Sequence, residues 1–242
     1  MNKIIQSLWI GDKLSLMEQL SIQSFLKNQH EYHLYVYSDI KNIPVGTTLM
    51  DGNEILPEKS IFTYQQGLGK GSYAGFANFF RYMLLLQKGG WWVDTDVICL
   101  KPFDFTSDYI FGSEYVAPER KKIIGNGIIK TLPKSEFALY CWETCQKHDI
   151  NQLLWGVTGP ALVTEAVEKF KLNNYVKEPE VFSPLYYVDV VELIDPEKNL
   201  DEILKNSYGI HLRNEMWRRS QIDKEKKYHQ NCLYEKLKSK YL

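Results

Sequence analysis

The 242-residue sequence has few cysteines, almost no net charge and no long apolar run. Its four cysteines form neither a CxxC pair nor a Cys/His cluster with zinc-like spacing, so we expect reduced thiols in a cytoplasmic protein. The formal net charge of −1 argues against a dedicated nucleic-acid binder, because such proteins carry a basic excess. No segment approaches the roughly 18 apolar residues of a membrane span, and the first residues lack the apolar region of a signal peptide.

The first half of the chain alternates between strand and helix patterns. The segment KIIQSLWIG predicts a buried strand, residues 14–29 carry apolar side chains at helical spacing, and HLYVYSD predicts a second strand. This order is typical of α/β proteins with parallel strands. Residues 41–72 are expected to be rich in loops, and residues 72–90 predict the clearest helix, which ends at a Gly–Gly pair.

The second half predicts two further helices and two short strand regions. The helices are expected over residues 136–148 and 158–170, with Pro160 near the first turn of the latter. The strand-like pieces lie near 181–193 and at 208–212. Since no repeat, low-complexity segment or linker interrupts the chain, we expect a single α/β domain that spans residues 1–242.

The C-terminal segment, residues 213–242, is basic. It carries nine Lys/Arg and four Asp/Glu, a surplus of five positive charges, with aromatic residues between them. Two interpretations are open at this point. The segment is either a solvated terminal helix or a patch that meets anionic lipid head groups or the diphosphate of a lipid-linked substrate.

The segment GGWWVDTDVICLKP places Asp94 and Asp96 inside an apolar, aromatic run. An unpaired carboxylate in a protein core is costly, so we expect both residues where a buried strand leaves the core. Residues two apart in an extended chain point the same way, and two carboxylates suit Mg²⁺ or Mn²⁺. The pattern therefore predicts a metal–diphosphate site, in which the cation offsets the charge of a departing nucleoside diphosphate.

The helix before this motif is apolar almost all round, yet it contains Asn78 and Arg81 on one face. A buried arginine must be paired or must bind an anionic ligand. Two interpretations follow from this rule. Either Arg81 forms a structural pair with an aspartate in the core, or Arg81 and Asn78 contact the sugar and ribose of a nucleotide.

Two further groups of residues are candidates for ligand contacts. Trp9 ends the first predicted strand, where open α/β sheets bind ligands, so its indole either stacks on a base or fills the core. In the segment GIHLRNEMW, His211 or Asn214 would complete a metal shell, and Trp217 would donate to a phosphate. The alternative for His211 is a structural role.

These motifs together resemble glycosyltransferases with a DxD motif. More narrowly, they resemble family 32, the mannosyl- and galactosyltransferase-like group related to the glucosylating clostridial toxins. KIIQSLWIG resembles the family's opening PKIIHQIWxG, YAGFANFFRYMLLLQKGGWWVDTDVICLKP its central signature, TGP at 158–160 a middle element and IHLRNEMW the closing HxxxxxW. The resemblance implies the GT-A fold, a Rossmann-like, nucleotide-binding mixed sheet flanked by helices.

The resemblance implies donor contacts for five residues. Trp9 and the backbone around Leu8 would hold the base, and Tyr73 would lie near the base or ribose. Arg81 would contact the donor sugar, and Trp217 would bind the β-phosphate.

The resemblance also implies the metal ligands. Asp96 would ligate Mn²⁺ or Mg²⁺ directly, and His211 or Asn214 would complete the site. Asp94 would reach the ion through water and touch ribose or sugar hydroxyls.

The chain departs from the family pattern at several positions. Asn78 stands where the family usually has Asp, which weakens a hydroxyl-accepting contact. Met216 replaces a small residue that is often Ser, so one phosphate hydrogen bond is missing. The family's opening Pro and His are absent, and Gln6 stands at the His position.

The activity that the resemblance implies is transfer of a hexose with retention of anomeric configuration. We expect galactose, glucose or N-acetylhexosamine from a nucleotide-diphosphate sugar, with UDP rather than GDP as the nucleotide. By analogy, the acceptor is a glycan, carried on a lipid, in bacterial capsule, exopolysaccharide or lipopolysaccharide synthesis at the cytoplasmic membrane face. No residue of the sequence stands out as a catalytic nucleophile.

Two other classes of function compete with this interpretation. DTDVI comes within one residue of the aspartyl-nucleophile pattern DxDx[TV] of phosphatases and phosphotransferases, but that motif normally ends the first strand, and GDGxxD is absent here. A non-catalytic sugar- or nucleotide-binding module would explain the aromatic residues, but it would not explain a metal-type carboxylate pair beside a buried arginine.

Overall fold

The structure is a computed structural model that describes residues 3–116, 119–186 and 189–242. Its centre is a mixed seven-stranded sheet with strand order β3-β2-β1-β4-β7-β6-β8, and β5 and β9 form a separate two-stranded sheet. The strands are β1 Ile4–Leu8, β2 Glu31–Val36, β3 Thr47–Asp51, β4 Gly90–Val93, β5 Val97–Cys99, β6 Ile110–Val116, β7 Lys121–Thr131, β8 Val176–Lys177 and β9 Gly209–His211. Strands β1 to β4 run parallel, whereas β7 is antiparallel to both β4 and β6. The predicted mixed α/β fold is confirmed.

Helices cover both faces of the large sheet. They are α1 Leu16–Lys27, α2 Ala74–Lys88, α3 Glu136–Cys145, α4 Leu162–Lys169, α5 Pro179–Phe182, α6 Asp201–Leu204, α7 Asn214–Arg219 and α8 Leu233–Tyr241. Helix α1 begins with a capping box, in which Ser15 and Glu18 satisfy each other's backbone N–H groups. Helix α2 ends at Gly89, whose φ of 61° is readily adopted by glycine. The side chains of α2, α3 and α4 share one core cluster, and those of α1 are divided between two others.

One sequence prediction in this region is wrong. Residues 181–193 were expected to contain short strands, but α5 occupies Pro179–Phe182 and a 3₁₀ helix occupies Asp189–Leu193, with residues 187–188 outside the described part. Val190 and Leu193 are both buried, and a separation of three is a helical spacing. The strand predicted at 208–212 is confirmed as β9, and the helix predicted from 158 begins with a π-helical turn before α4.

The basic C-terminal segment packs on the body of the molecule. Trp217 and Tyr234 are fully buried in a third core cluster that also contains Met17 and Leu20 of α1. Lys224 forms an ion pair of 2.7 Å with Glu18. The segment is therefore more than a solvated helix, because its aromatic residues complete a core. Within the described ranges, no helix is both long and apolar enough to cross a bilayer.

Candidate metal and donor site

The two aspartates lie in a tight turn where β4 leaves the core. All four residues of β4 are buried, and the Asp94 N–H donates to the Gly127 carbonyl at 2.8 Å, which extends the pairing with β7 by one residue. The Val97 N–H then donates to the Asp94 carbonyl at 3.1 Å, so the chain reverses into β5. The side chains of Asp94 and Asp96 are 27% and 14% exposed. Both carboxylates thus emerge at the edge of the sheet, as the sequence predicts.

The fold brings a third potential metal ligand, the imidazole of His211, close to the two carboxylates. Asp94, Asp96 and His211 each offer one ligand atom, and these atoms lie within 4.8 Å of one another. His211 ends β9, which pairs with β5 so that His211 is the partner of Val97. Its Nε2 lies 3.2 Å from Asp96 Oδ1. Of the two alternatives from the sequence, the His211 side chain joins the cluster, and Asn214 contacts Asp96 Oδ2 through its backbone N–H at 2.7 Å.

Asp96 and His211 stabilise each other's charged form. Burial raises the pKa of Asp96, but the charge and hydrogen bond of His211 and the Asn214 N–H outweigh it and lower the pKa to about 2. Burial lowers the pKa of His211, but the Asp96 carboxylate outweighs this effect, so the pKa lies above its ordinary value. Asp96 is therefore ionised at neutral pH, which is the form that a metal ligand needs.

The three side chains fit a divalent cation. Two carboxylates and an imidazole suit Mn²⁺, and carboxylates with water and phosphate suit Mg²⁺. Asp94 Oδ2 makes no hydrogen bond to any other described residue, so it is free to bind. A Cβ at Gly127 would lie 3.0 Å from this oxygen and 3.2 Å from His211 Cε1, so glycine leaves space beside the cluster. Asp94, Asp96 and His211 would hold the ion.

Arg81 projects from α2 onto the first aspartate. Its Nη2 donates to Asp94 Oδ1 at 2.6 Å, the Trp92 Nε1–H donates to the same oxygen at 2.7 Å, and the guanidinium lies 4.7 Å from the centroid of the Trp92 ring. Arg81 is 3% exposed, and its Nε has no hydrogen-bond partner in the part of the chain that the structure describes. The sequence left a structural aspartate pair and a ligand contact open for Arg81. The structure places the pair within the candidate site itself.

A buried polar network surrounds Asn78. Its Oδ1 accepts from Arg81 Nη1 and from Asn126 Nδ2, and its Nδ2 donates to Thr158 Oγ1 at 3.2 Å. Asn126 and Thr158 were missed by the sequence reasoning. The only available signal was that Asn126 stands between two glycines and that Thr158 begins the TGP element.

The other predicted donor residues lie in different surroundings. Leu8 is 8% exposed at the end of β1, and the neighbouring Trp9 is half-buried, with its Nε1–H donating to the Lys13 carbonyl at 3.1 Å. Tyr73 directly precedes α2 and is 43% exposed. Since β1 is parallel to β4, Leu8 and Trp9 lie at the same edge of the sheet as Asp94.

Trp217 does not present its indole to a ligand in this structure. Its side chain is fully buried, and its Nε1–H donates to the Leu212 carbonyl at 2.9 Å. The ring packs on Tyr234 with centroids 4.7 Å apart. The predicted contact with a β-phosphate is therefore not available in this geometry, because the only polar atom of the indole already has a partner.

Two family models match the chain. Residues 16–116 match the glycosyltransferase sugar-binding region containing a DXD motif, and residues 130–241 match the alpha 1,4-glycosyltransferase conserved region. The first range contains Arg81, Asp94 and Asp96, and the second contains His211 and Asn214.

Individual proteins agree with these matches. The human alpha-1,4-N-acetylglucosaminyltransferase is 29% identical in a match that covers 56% of this chain. The match covers 41% of that relative, so the chain spans less than half of its length. The PaToxG glycosyltransferase superposes with a TM-score of 0.52 and 16% identity over 99% of this chain and 87% of its own. The ligand-free glycosyltransferase domain of the YGT toxin superposes with a TM-score of 0.52 and 9% identity over 94% and 91%.

The two structural matches show a shared fold, and the sequence matches extend to the residues of the site. The two family models follow one another along the chain and together include every member of the Asp94–Asp96–His211 cluster. The sequence matches agree with the resemblance to the DXD-containing glycosyltransferases of family 32, and the structural matches show that the chain shares the fold of two glycosyltransferases.

Proposed function

We propose that this glycosyltransferase moves a hexose from a nucleotide-diphosphate sugar, with UDP as the nucleotide, to a glycan acceptor with the help of Mn²⁺ or Mg²⁺. The observation that carries the proposal is the cluster of Asp94, Asp96 and His211 with the buried Arg81 against it. Carboxylates and an imidazole bind a divalent cation, and a buried guanidinium beside them suits an anionic or hydroxyl-rich donor.

In this proposal each residue of the site contacts a different part of the donor or the cation. Asp96 and His211 would hold the cation, and Asp94 would add its Oδ2 and face sugar or ribose hydroxyls. A divalent cation held there would offset the negative charge of the leaving diphosphate. Arg81 holds Asp94 in place and contacts the sugar. Trp9 and the backbone at Leu8 hold the base at the end of β1.

Tyr73 and Asn78 complete the proposed donor contacts. Tyr73 is exposed directly before α2, the helix that carries Arg81, and would lie near the base or ribose. Asn78 would act on the sugar through its network with Arg81, Asn126 and Thr158.

We propose transfer with retention of configuration. The matched family region and the human relative are named for α-1,4 transfer, and UDP-linked galactose, glucose and N-acetylglucosamine are themselves α-linked. An α-linked product from an α-linked donor means retention. Asp94 is a poor candidate for a covalent nucleophile, because its Oδ1 already accepts from Arg81 and Trp92.

The acceptor we propose is a growing glycan on a lipid carrier in bacterial surface polysaccharide synthesis. The support is the basic composition of residues 213–242, whose surplus of five positive charges would favour an anionic membrane surface or a lipid diphosphate. The protein would then act at the cytoplasmic face of the membrane as a peripheral enzyme.

Calorimetric titration with UDP and with GDP, each with and without Mn²⁺, tests the donor site. We expect tight binding of UDP that needs Mn²⁺ and that disappears in Asp96→Ala. Metal-dependent hydrolysis of a UDP-hexose separates a transferase from a binding module, because a module binds without turnover. Folded protein that binds neither nucleotide with Mn²⁺ present would overturn the proposal and favour the phosphatase.

A further inference from the structure

A second pair of charged residues lies beside the metal cluster, and none of the roles described so far uses it. Glu114, on β6, accepts a hydrogen bond from Arg213 Nη1 in an ion pair that joins positions 99 residues apart. Arg213 stands between β9, which ends at His211, and α7, which begins at Asn214. The pair therefore connects the central sheet to the turn that carries the cluster's imidazole.

Burial of the two charges and the backbone conformation of Arg213 both cost free energy of folding. The side chains of Arg213 and Glu114 are 9% and 13% exposed, and Arg213 Nε and Nη2 are buried without a hydrogen-bond partner among the described residues. Arg213 also has φ 61° and ψ 62°, a left-handed conformation that costs energy for a residue other than glycine. Buried ion pairs contribute little to stability, and strained residues gather at functional sites. Both facts indicate a role other than stability.

The residues on either side of Arg213 make the contacts that orient Asp96. His211 Nε2 lies 3.2 Å from Asp96 Oδ1, and the Asn214 N–H donates to Oδ2 at 2.7 Å. The Leu212 N–H donates to the Asp96 carbonyl at 2.9 Å. The left-handed turn at Arg213 lets the imidazole and the Asn214 N–H reach the same carboxylate, so the position of Arg213 controls both.

Glu114 also shares a cavity with His211. This cavity, of about 10 Å³, is lined by Glu114, His211 and three glycines of β6 and β7 among other residues. The glycines at 112, 125 and 127 place no side chain between the carboxylate and the imidazole. Glu114 is thus fixed on the sheet with one oxygen toward Arg213 and its carboxylate beside the ring that would bind the metal.

We propose that Glu114 and Arg213 are positioning residues that set the metal-binding geometry of Asp96 and His211. The ion pair holds Arg213 in its left-handed conformation, which fixes the imidazole and the Asn214 N–H on Asp96. This inference rests on the proposed metal-dependent function. It adds Glu114 and Arg213 to the site as residues that would contact neither the metal nor the donor.

The test measures Mn²⁺ binding to the protein alone. The variant Glu114→Gln/Arg213→Gln removes both charges, leaves no unpaired charge in the core, and keeps a side chain at 213, so the left-handed conformation loses the ion pair that holds it. We expect it to fold and to bind Mn²⁺ about 10- to 100-fold more weakly, as outer-shell substitutions do, with an altered electron paramagnetic resonance spectrum of the bound ion. Glu178→Gln, which breaks an exposed ion pair with Lys122, should bind as the wild type does.

Each result decides the inference. A folded double variant whose Mn²⁺ affinity and spectrum match those of the wild type would overturn it, and a purely structural pair would lower only the Tm. If the double variant fails to fold, Glu114→Gln decides, since it removes the carboxylate that pairs with Arg213 but keeps the size of the side chain, and unchanged affinity there would also overturn the inference. Absence of Mn²⁺ binding by the wild type would overturn the proposed metal dependence together with this inference.

Discussion

Replacing Arg81 with alanine should both destabilise the protein and impair its handling of the donor. Arg81 is 3% exposed, donates to Asp94 and Asn78, and lies on the Trp92 ring. Breaking a buried ion pair by removing one partner costs about 3–5 kcal/mol. Asp94 keeps 27% exposure and the Trp92 N–H, so we expect the lower end, about 3 kcal/mol, which lowers the Tm by about 6–12 °C in a chain of this size.

The catalytic effect of Arg81→Ala is separable from the loss of stability. A hydrogen bond from a charged group contributes about 1.5–3 kcal/mol, so kcat/KM for the donor should fall about 10- to 150-fold. The assay is metal-dependent hydrolysis of a UDP-hexose, run well below the Tm of the variant. Mn²⁺ affinity should change much less, because the hydrogen bond of Arg81 to the three cluster residues goes to Asp94 Oδ1 and leaves Asp94 Oδ2 free for the ion.

Arg218→Ala is the matched control for this experiment. Arg218 pairs with Glu215 on the surface with 55% of its side chain exposed, so its loss should change the free energy of unfolding by less than about 1 kcal/mol. Folded Arg81→Ala protein with the wild-type kcat/KM would refute the donor contact. Arg81 would then be a structural partner of Asp94 and nothing more.

Three further substitutions test the other residues of the site. Asp96→Ala should abolish Mn²⁺ binding and turnover. The depressed pKa of Asp96 stabilises the metal-free protein by about 2 kcal/mol above pH 4, and this stabilisation is lost as the pH falls toward 2, so urea unfolding of the variant should lack that acid-dependent loss. A globally unfolded variant would instead indicate a structural carboxylate. Trp217→Phe should lower the free energy of unfolding by about 1–3 kcal/mol, because it leaves the Leu212 carbonyl without the indole N–H, and UDP affinity measured by calorimetry should stay unchanged. A selective loss of UDP affinity would instead support a contact between Trp217 and the β-phosphate. Gly127→Ala should weaken Mn²⁺ binding about tenfold or more, because its Cβ would lie 3.0 Å from Asp94 Oδ2, a proposed ligand atom. Glu178→Gln, which breaks an exposed ion pair with Lys122, serves as the control, and equal affinities of the two variants would contradict the proposed ligand.

The sequence predicted those parts of the site that are local in the chain. The turn at Asp94 and Asp96 follows from two carboxylates in an apolar strand, and the burial of Arg81 follows from the apolar helix around it. His211 was a candidate ligand on its residue type, but only the pairing of β9 with β5 brings it to Asp96.

The parts that the sequence did not predict depend on long-range pairing or on glycine-rich strands. Strands β6 and β7 form the hairpin beside the site, yet Gly112, Gly125 and Gly127 interrupt the alternation of apolar and polar residues by which strands are found. The contact between Glu114 and Arg213 joins distant positions with no local pattern. No local pattern in the sequence predicts the hydrogen bond from the Trp217 indole N–H to the Leu212 carbonyl.

The packing of the C-terminal segment has a consequence for how the protein is made. The two aspartates leave the ribosome more than a hundred residues before His211, which completes the candidate metal cluster, and before Asn214, whose N–H donates to Asp96. A nascent chain with the large sheet already formed would therefore hold only two of the three ligands. Metal affinity should rise late, when β9 and α7 dock against β5 and α1, and a bound Mn²⁺ ion would serve as a reporter for that last step of folding.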